Sequence, residues 1–187
     1  MRFAIASAVM GLVGTLNGQA TGGLQRVQDF GPNSSGTRMY IYVPQTLPQK
    51  PAIVVGVHYC GGTAQGYYNG SPYKNLADQK KFIVIYPESP YNGGCWDVSS
   101  KAALVRGKGA DSESIANMVK YTISKYNADP KKVYAIGESS GAMMTVLMTS
   151  YLALKKRDQT LTNTVRISWQ PRIQIFSPPL LSTQELP

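Results

Sequence analysis

A serine flanked by small residues is the first feature of this sequence that could perform chemistry. Ser139 stands in the motif Gly137-Glu138-Ser139-Ser140-Gly141, between the apolar run "VYAI" and an apolar segment that suits a helix. A strand, a tight turn and a helix form the context in which such a serine is exposed as a nucleophile at a helix N-terminus. We predict that Ser139 is a nucleophile; the alternative is a turn that only links a strand to a buried helix.

A nucleophilic serine that attacks an ester also needs hydrogen-bond donors for the oxyanion. These donors are usually the amide after the nucleophile and one amide from the loop after an earlier strand. The amide of Ser140 meets the first need. The loop 58–63 ("HYCGGT") follows the apolar run 52–57, and its two glycines allow a close approach of backbone to substrate. We expect the amide of Cys60 to be the second donor.

The sequence contains one histidine, His58, and it lies far upstream of the serine. His58 could be the base for Ser139, or it could end a strand and shape the loop that follows. In folds that carry a nucleophilic serine on such a strand–turn–helix segment, the acid and the base follow the serine along the chain. We therefore favour the second role for His58. A thiol nucleophile at Cys60 beside His58 is a further alternative, which a disulfide would exclude.

Apolar runs predict the strands that would hold this site. Continuous runs are typical of strands buried on both faces of a mostly parallel sheet, and an alternating segment that stops at Pro44 predicts an early edge strand. The predicted strands are Thr37–Val43, Ala52–Val57, Phe82–Tyr86 and Val133–Ile136; the predicted helices are Tyr73–Lys81 and Ser112–Tyr126, the latter with Asp111 as N-cap. Strands that alternate with helices indicate an α/β fold.

Length and composition indicate one globular domain. The chain has 187 residues, of which 43% are hydrophobic and 16% are charged. Its 19 basic and 10 acidic residues give a net charge of +9, but the basic residues are scattered rather than concentrated in a stripe. We therefore expect no nucleic-acid partner. We also expect no cofactor, no metal site and a monomer.

The N-terminal segment predicts secretion. Arg2 is followed by an apolar stretch and then by small residues that suit cleavage after Ala20, and the stretch is shorter than the roughly 20 residues a membrane span requires. We interpret residues 1–20 as a signal peptide. In an oxidising compartment Cys60 and Cys95 are expected to form a disulfide, the alternative being two free thiols.

Two sequons also fit a secreted protein. Asn33-Ser34-Ser35 and Asn69-Gly70-Ser71 make Asn33 and Asn69 candidate glycosylation sites.

Glycine usage changes after the serine motif. All 18 glycines lie at or before Gly141, and none occurs in residues 142–187, where average usage of about 7% would place roughly three. Residues 155–187 show no further cycle of strand, helix and turn. We predict a partial domain over residues 24–154 and a divergent, poorly ordered tail over residues 155–187.

Several segments resemble a known family. "GVHYCGGTAQGYY", "LADQKKFIVIYPESP", "GGCWDVSS" and "DSESIANMVKYTISKYNADPKKVYAIGESSGAMMT" closely resemble the secreted fungal acetylxylan esterases of carbohydrate esterase family one, relatives of feruloyl esterases and polyhydroxybutyrate depolymerases. The resemblance runs from about Val27 to Thr145. It implies an α/β-hydrolase fold, here incomplete, and removal of acetyl groups from xylan by a serine, histidine and aspartate triad with Ser139 as nucleophile. It also makes Trp96 a candidate sugar-contacting residue, with a core tryptophan as the alternative.

The sequence departs from this family after Thr145. The family would continue to strands that bear the triad aspartate and histidine, whereas this chain continues "VLMTSYLALKKRDQT" and contains only Asp158 and Glu185 as downstream acids. We interpret the change as a frame change or a retained intron, with natural truncation as the rival. We therefore expect an esterase that is impaired for lack of a base. A feruloyl esterase or polyester hydrolase is the alternative. The alternative of another class is a non-catalytic truncated product that binds sugar through exposed tyrosines and Trp96 or that fails to fold.

Overall fold

The computed structural model describes residues 22–105 and 107–148. The predicted signal peptide (1–20) and the predicted tail (155–187) lie outside the described residues, as do the last residues of the predicted domain.

The described chain forms a mixed five-stranded sheet in the order β1-β2-β4-β3-β5. The strands are β1 (Gln25–Val27), β2 (Arg38–Tyr42), β3 (Ile53–Val57), β4 (Ile83–Glu88) and β5 (Val133–Gly137). β3 runs parallel to both β4 and β5, and β1 and β2 continue the sheet antiparallel. The carboxyl ends of β3, β4 and β5 therefore meet at one edge of the sheet, where ligand sites of α/β folds are found.

Helices connect the parallel strands. They are α1 (Ala64–Gly70), α2 (Tyr73–Lys80), α3 (Lys101–Leu104) and α4 (Asp111–Tyr126), and residues 140–148 are helical as well. This alternation confirms the predicted α/β class, and the predicted positions of β3, β4, β5, α2 and α4 agree with the structure to within a few residues.

Apolar side chains cover both faces of the sheet. The larger cluster includes Met39, Ile41, Ile85 and Val55 of the strands, with Ile115 and Met118 of α4 and Met144 and Met148 of the last helical segment. The smaller cluster is rich in tyrosine and lies toward α1 and α2. The strand runs are continuous in sequence because both faces are buried.

Two predictions about local structure are wrong. The alternating segment forms β2, but β2 is not an edge strand, because β1 pairs with its outer side. Asp111 does not cap α4: Ala110 occupies the N-cap position without a side-chain bond, and the Asp111 carboxylate accepts hydrogen bonds from elsewhere. Among the described residues β5 forms the other edge of the sheet, with nothing paired to its outer side.

Candidate active site

Ser139 sits on a sharp turn between β5 and the helical residues 140–148. Its φ is 52°, in the left-handed region that a residue with a Cβ rarely adopts. Such a conformation persists only where the surroundings impose it, and it is common at functional sites. The side chain is exposed. The turn thus presents the hydroxyl at the carboxyl edge of the sheet.

The two glycines of the motif are required by close packing. A Cβ on Gly137 would lie 2.5 Å from the carbonyl carbon and oxygen of Gly141. A Cβ on Gly141 would overlap the carbonyl oxygens of Val57 and His58 at the end of β3. The helix can therefore begin directly against the neighbouring strand, which brings the serine turn beside the loop that follows β3.

Backbone hydrogen bonds fix the turn and leave one amide available. The amide of Glu138 donates to Val57 O (3.3 Å), and the amides of Gly141 and Ala142 donate to Glu138 O and Ser139 O (both 2.9 Å). Within residues 22–105 and 107–148 the amide of Ser140 has no hydrogen-bond partner. Because it lies at a helix N-terminus, where the dipole favours negative charge, it suits the predicted role of oxyanion donor.

The loop after β3 is held in a tight turn. Gly62 donates its amide to Tyr59 O at 2.9 Å, and Gly61 has a φ of 84°. In the part of the chain that the structure describes, the amide of Cys60 makes no hydrogen bond. The loop starts at His58, whose carbonyl lies against Gly141, so the amides of Cys60 and Ser140 belong to adjoining turns.

His58 is fully buried, and both of its ring nitrogens have partners. Ser89 donates its amide to Nε2 (3.2 Å), so Nε2 is an acceptor and the proton lies on Nδ1, which donates to Tyr59 O (2.7 Å). Burial is the main cause that lowers the pKa of His58, and the imidazole therefore stays neutral. This geometry matches the role that shapes the loop and offers no ring nitrogen to Ser139.

No described residue donates a hydrogen bond to the Ser139 hydroxyl or accepts one from it. The described part of the chain thus contains the predicted nucleophile and the two predicted oxyanion donors, and it places no base within hydrogen-bond reach of the Ser139 hydroxyl. This agrees with the expectation from sequence, in which the only histidine has a structural role.

A disulfide joins Cys60 to Cys95, as predicted, with Cα atoms 4.0 Å apart. It connects the loop after β3 to the loop after β4, and it leaves no free thiol at Cys60.

Trp96 directly follows Cys95 in the sequence. Its side chain is only 4% exposed, its indole donates to His58 O (2.8 Å), and its ring packs on the His58 ring at 4.9 Å between centroids. These contacts fit the alternative role of Trp96 as a core residue.

Asp111 is a residue of the site region that sequence reasoning misread. Its buried carboxylate accepts from the Thr37 hydroxyl (3.1 Å), the Tyr91 hydroxyl (3.4 Å) and the amide of Asp97 (3.2 Å). Burial raises the pKa of this carboxyl, and the hydrogen bonds oppose that shift. Asp111 therefore ties α4 to the loop that carries Cys95.

The two candidate glycosylation sites differ in environment. The side-chain amide of Asn33 donates to Thr37 O (2.9 Å), and its Oδ1 is buried without a partner among the described residues. Asn69 is exposed at the end of α1, and its Oδ1 accepts a hydrogen bond from Gln65 Nε2 (3.1 Å). Across the described residues, none of the helices is long and apolar enough to cross a membrane.

Comparisons with known proteins agree with this geometry. Probable acetylxylan esterase A of Neosartorya fischeri is 64% identical over 130 residues, which cover 70% of this chain and 35% of that protein. The structure of acetyl xylan esterase from Aspergillus awamori superposes with a TM-score of 0.69 at 59% identity, covering 70% of this chain and 48% of that one. The chain thus spans half or less of these relatives.

More distant structures share the fold. A poly(3-hydroxybutyrate) depolymerase from Bordetella parapertussis superposes with a TM-score of 0.54 at 17% identity, covering 70% of this chain and 47% of that one. The family described as Esterase PHB depolymerase matches residues 37–156, which is more than half of the sequence. That range contains the serine turn, the loop after β3 and both cysteines. The chain belongs to the Esterase PHB depolymerase family.

Proposed function

We propose that this chain carries the nucleophile and the oxyanion hole of a secreted serine esterase that acts on acetylated xylan. The observation that carries the proposal is the left-handed Ser139, held between two close-packed glycines and beside the amides of Ser140 and Cys60, which have no partner among the described residues. The relatives named as acetylxylan esterases support the choice of substrate.

In this reaction the hydroxyl of Ser139 attacks the carbonyl carbon of an acetyl ester. The carbonyl oxygen becomes an oxyanion, which the amides of Ser140 and Cys60 stabilise. Collapse of the tetrahedral intermediate expels the sugar hydroxyl and leaves an acetyl group on Ser139. Water then attacks this acyl-enzyme, and acetate is released.

Each of these steps needs a group that accepts and returns a proton, and His58 does not serve this purpose. General acid–base assistance contributes typically about 10²- to 10⁴-fold to a rate. Without it, the oxyanion hole and binding sustain a residual rate of about 10³- to 10⁴-fold above water. We therefore expect slow turnover from the chain of this sequence.

The test compares the chain with its Ser139→Ala and His58→Ala variants on an aryl acetate. We expect turnover close to the Ser139→Ala background. Added imidazole should raise the rate of the wild-type chain more than that of Ser139→Ala, because it supplies the missing base to a placed serine. Robust turnover that both variants abolish would overturn the claim that His58 is structural. An identical imidazole response in the wild-type chain and Ser139→Ala would overturn the role of Ser139.

Two alternatives remain open to measurement. A feruloyl ester or a polyester is the alternative substrate. Comparison of the hydrolysis rates of aryl acetate, aryl ferulate and aryl hydroxybutyrate esters in the presence of imidazole distinguishes the three substrate classes. A non-catalytic sugar-binding role is favoured because none of the described residues offers Ser139 a base. Binding of xylan by Ser139→Ala without any imidazole-dependent turnover of the wild-type chain would support that role.

If the chain is secreted, we expect N-glycosylation at Asn69 rather than at Asn33, because the two side chains differ in their hydrogen bonds. The amide nitrogen that would carry the glycan makes no hydrogen bond with the described residues in Asn69, whereas in Asn33 it donates to Thr37 O. Expression in a glycosylating host, followed by glycosidase treatment of Asn69→Gln and Asn33→Gln variants, reports the occupied site. A glycan that persists in Asn69→Gln would contradict this assignment.

A further inference from the structure

Two large aromatic side chains beside the serine turn have no role in the chemistry described above. Tyr59 is 43% exposed and Tyr91 is 44% exposed, although most tyrosines of the described chain are half-buried or buried. Tyr59 directly precedes Cys60, and Tyr91 lies four residues before Cys95. The disulfide therefore brings the two loops that carry them together next to the oxyanion donors.

The backbone on both sides of these rings is fixed. The carbonyl of Tyr59 accepts from Gly62 N (2.9 Å) and His58 Nδ1 (2.7 Å). Tyr91 accepts from Gly94 N (3.0 Å), and its own amide donates to Ser89 Oγ (3.3 Å). Its hydroxyl is held by Asp111 at 3.4 Å. An exposed tyrosine on an ordered backbone loses little conformational entropy when a ligand covers its ring.

The loops that carry the rings bear no charged side chain. Of the acidic and basic residue types, residues 58–63 ("HYCGGT") contain only the buried His58, and residues 89–96 ("SPYNGGCW") contain none. In a chain of net charge +9, these two loop segments therefore supply no acidic or basic side chain for ionic recognition beyond the buried His58. An aromatic face attracts groups of partial positive charge, such as the C–H bonds of a sugar ring.

We propose that Tyr59 and Tyr91 form a stacking platform for a neutral polysaccharide, beside the serine that receives its acyl group. This inference rests on the proposed function, because it assigns the sugar part of the same substrate. It places the polysaccharide chain on the two disulfide-linked loops and leaves Trp96 in its buried contact with His58.

Binding of xylan tests the platform without any turnover. Affinity electrophoresis through soluble deacetylated xylan is run on Ser139→Ala, so that no chemistry contributes. Within this background, Tyr59→Ala and Tyr91→Ala should each weaken retardation about 5-fold or more, and Tyr59→Phe should retain it, because stacking needs the ring. Tyr134→Ala is the matched control, since Tyr134 is a partly exposed tyrosine near the opposite end of β5.

Salt separates stacking from charge. Retardation by neutral xylan should persist in 0.5 M NaCl, where exposed ionic contacts are strongly screened. Equal retardation of Ser139→Ala with and without Tyr59→Ala or Tyr91→Ala, or an equal loss of retardation in Tyr134→Ala, would overturn the platform. A chain that shows imidazole-dependent turnover but no tyrosine-dependent xylan binding would overturn the platform alone. Tyrosine-dependent binding without turnover would overturn the proposed function alone.

Discussion

Replacement of Gly141 by alanine tests how closely the serine turn packs on β3. The new Cβ would overlap the carbonyl oxygens of Val57 and His58, which are backbone atoms at the end of β3 and cannot rotate away as a side chain could. Gly141 has a helical backbone, so its cost is steric rather than conformational.

The magnitude follows from two opposed effects. Overpacking of a filled site costs about 1 to 3 kcal/mol, and rigid backbone neighbours favour the upper end. Alanine regains about 1 kcal/mol over glycine inside a helix. We expect Gly141→Ala to lower the free energy of unfolding by about 2 kcal/mol, the difference between about 3 and about 1.

Urea unfolding followed by circular dichroism measures this difference. Gly70→Ala is the matched control, because it also lies in a helix and a Cβ there would meet nothing within 4 Å. It should leave stability unchanged or raise it by up to about 1 kcal/mol. Equal unfolding midpoints for Gly141→Ala and Gly70→Ala would refute the close packing of the helix start against β3.

Three further variants test the site region. Ser139→Gly should be more stable than Ser139→Ala by about 1 kcal/mol in thermal unfolding, because only glycine relieves the left-handed φ of 52°; equal melting temperatures would argue against strain. Replacement of Cys60 and Cys95 by serine should cost about 3 to 4 kcal/mol for a loop closed over 35 residues, and the reduced wild-type chain should unfold like the double variant. His58 has a lowered pKa in the fold, so below its ordinary value of 6.5 the unfolded chain binds more protons and stability falls with falling pH. His58→Gln should flatten that slope between pH 7 and about 5, and an unchanged slope would assign the effect to other groups.

Local patterns in the sequence were sufficient to predict the parallel strands and the serine turn. β3, β4 and β5 are continuous apolar runs because both faces of the sheet are covered, and the spacing of Gly137, Ser139 and Gly141 reflects contacts within one turn and with one neighbouring strand. The disulfide was predictable from the number of cysteines and the N-terminal segment, and needed no geometry.

Contacts between distant parts of the chain could not be predicted in this way. β1 has only three residues, and it is defined as a strand by its antiparallel pairing with β2. Asp111 resembles a helix cap in sequence, yet its partners include Thr37, 74 positions away. The state of His58 depends on Ser89, 31 positions along the chain. Composition and periodicity describe neighbouring residues and therefore do not predict contacts between residues that are far apart in the sequence.

Among the described residues β5 is paired on one side only, and this should make hydrogen-exchange rates unequal along the strand. In a parallel pair, alternate amides of a strand point toward the neighbour and the others point away. Among the described residues only β3 pairs with β5, so alternate amides of β5 face no partner strand. Hydrogen exchange along Val133–Gly137 should therefore show a period of two, with slow and fast amides interleaved, whereas β3, paired on both sides, should exchange slowly throughout. Among the described residues, the strand that leads into the serine turn is thus the one paired on a single side, and the turn is held by its contacts with β3 and by the packing of Met144 and Met148 in the core.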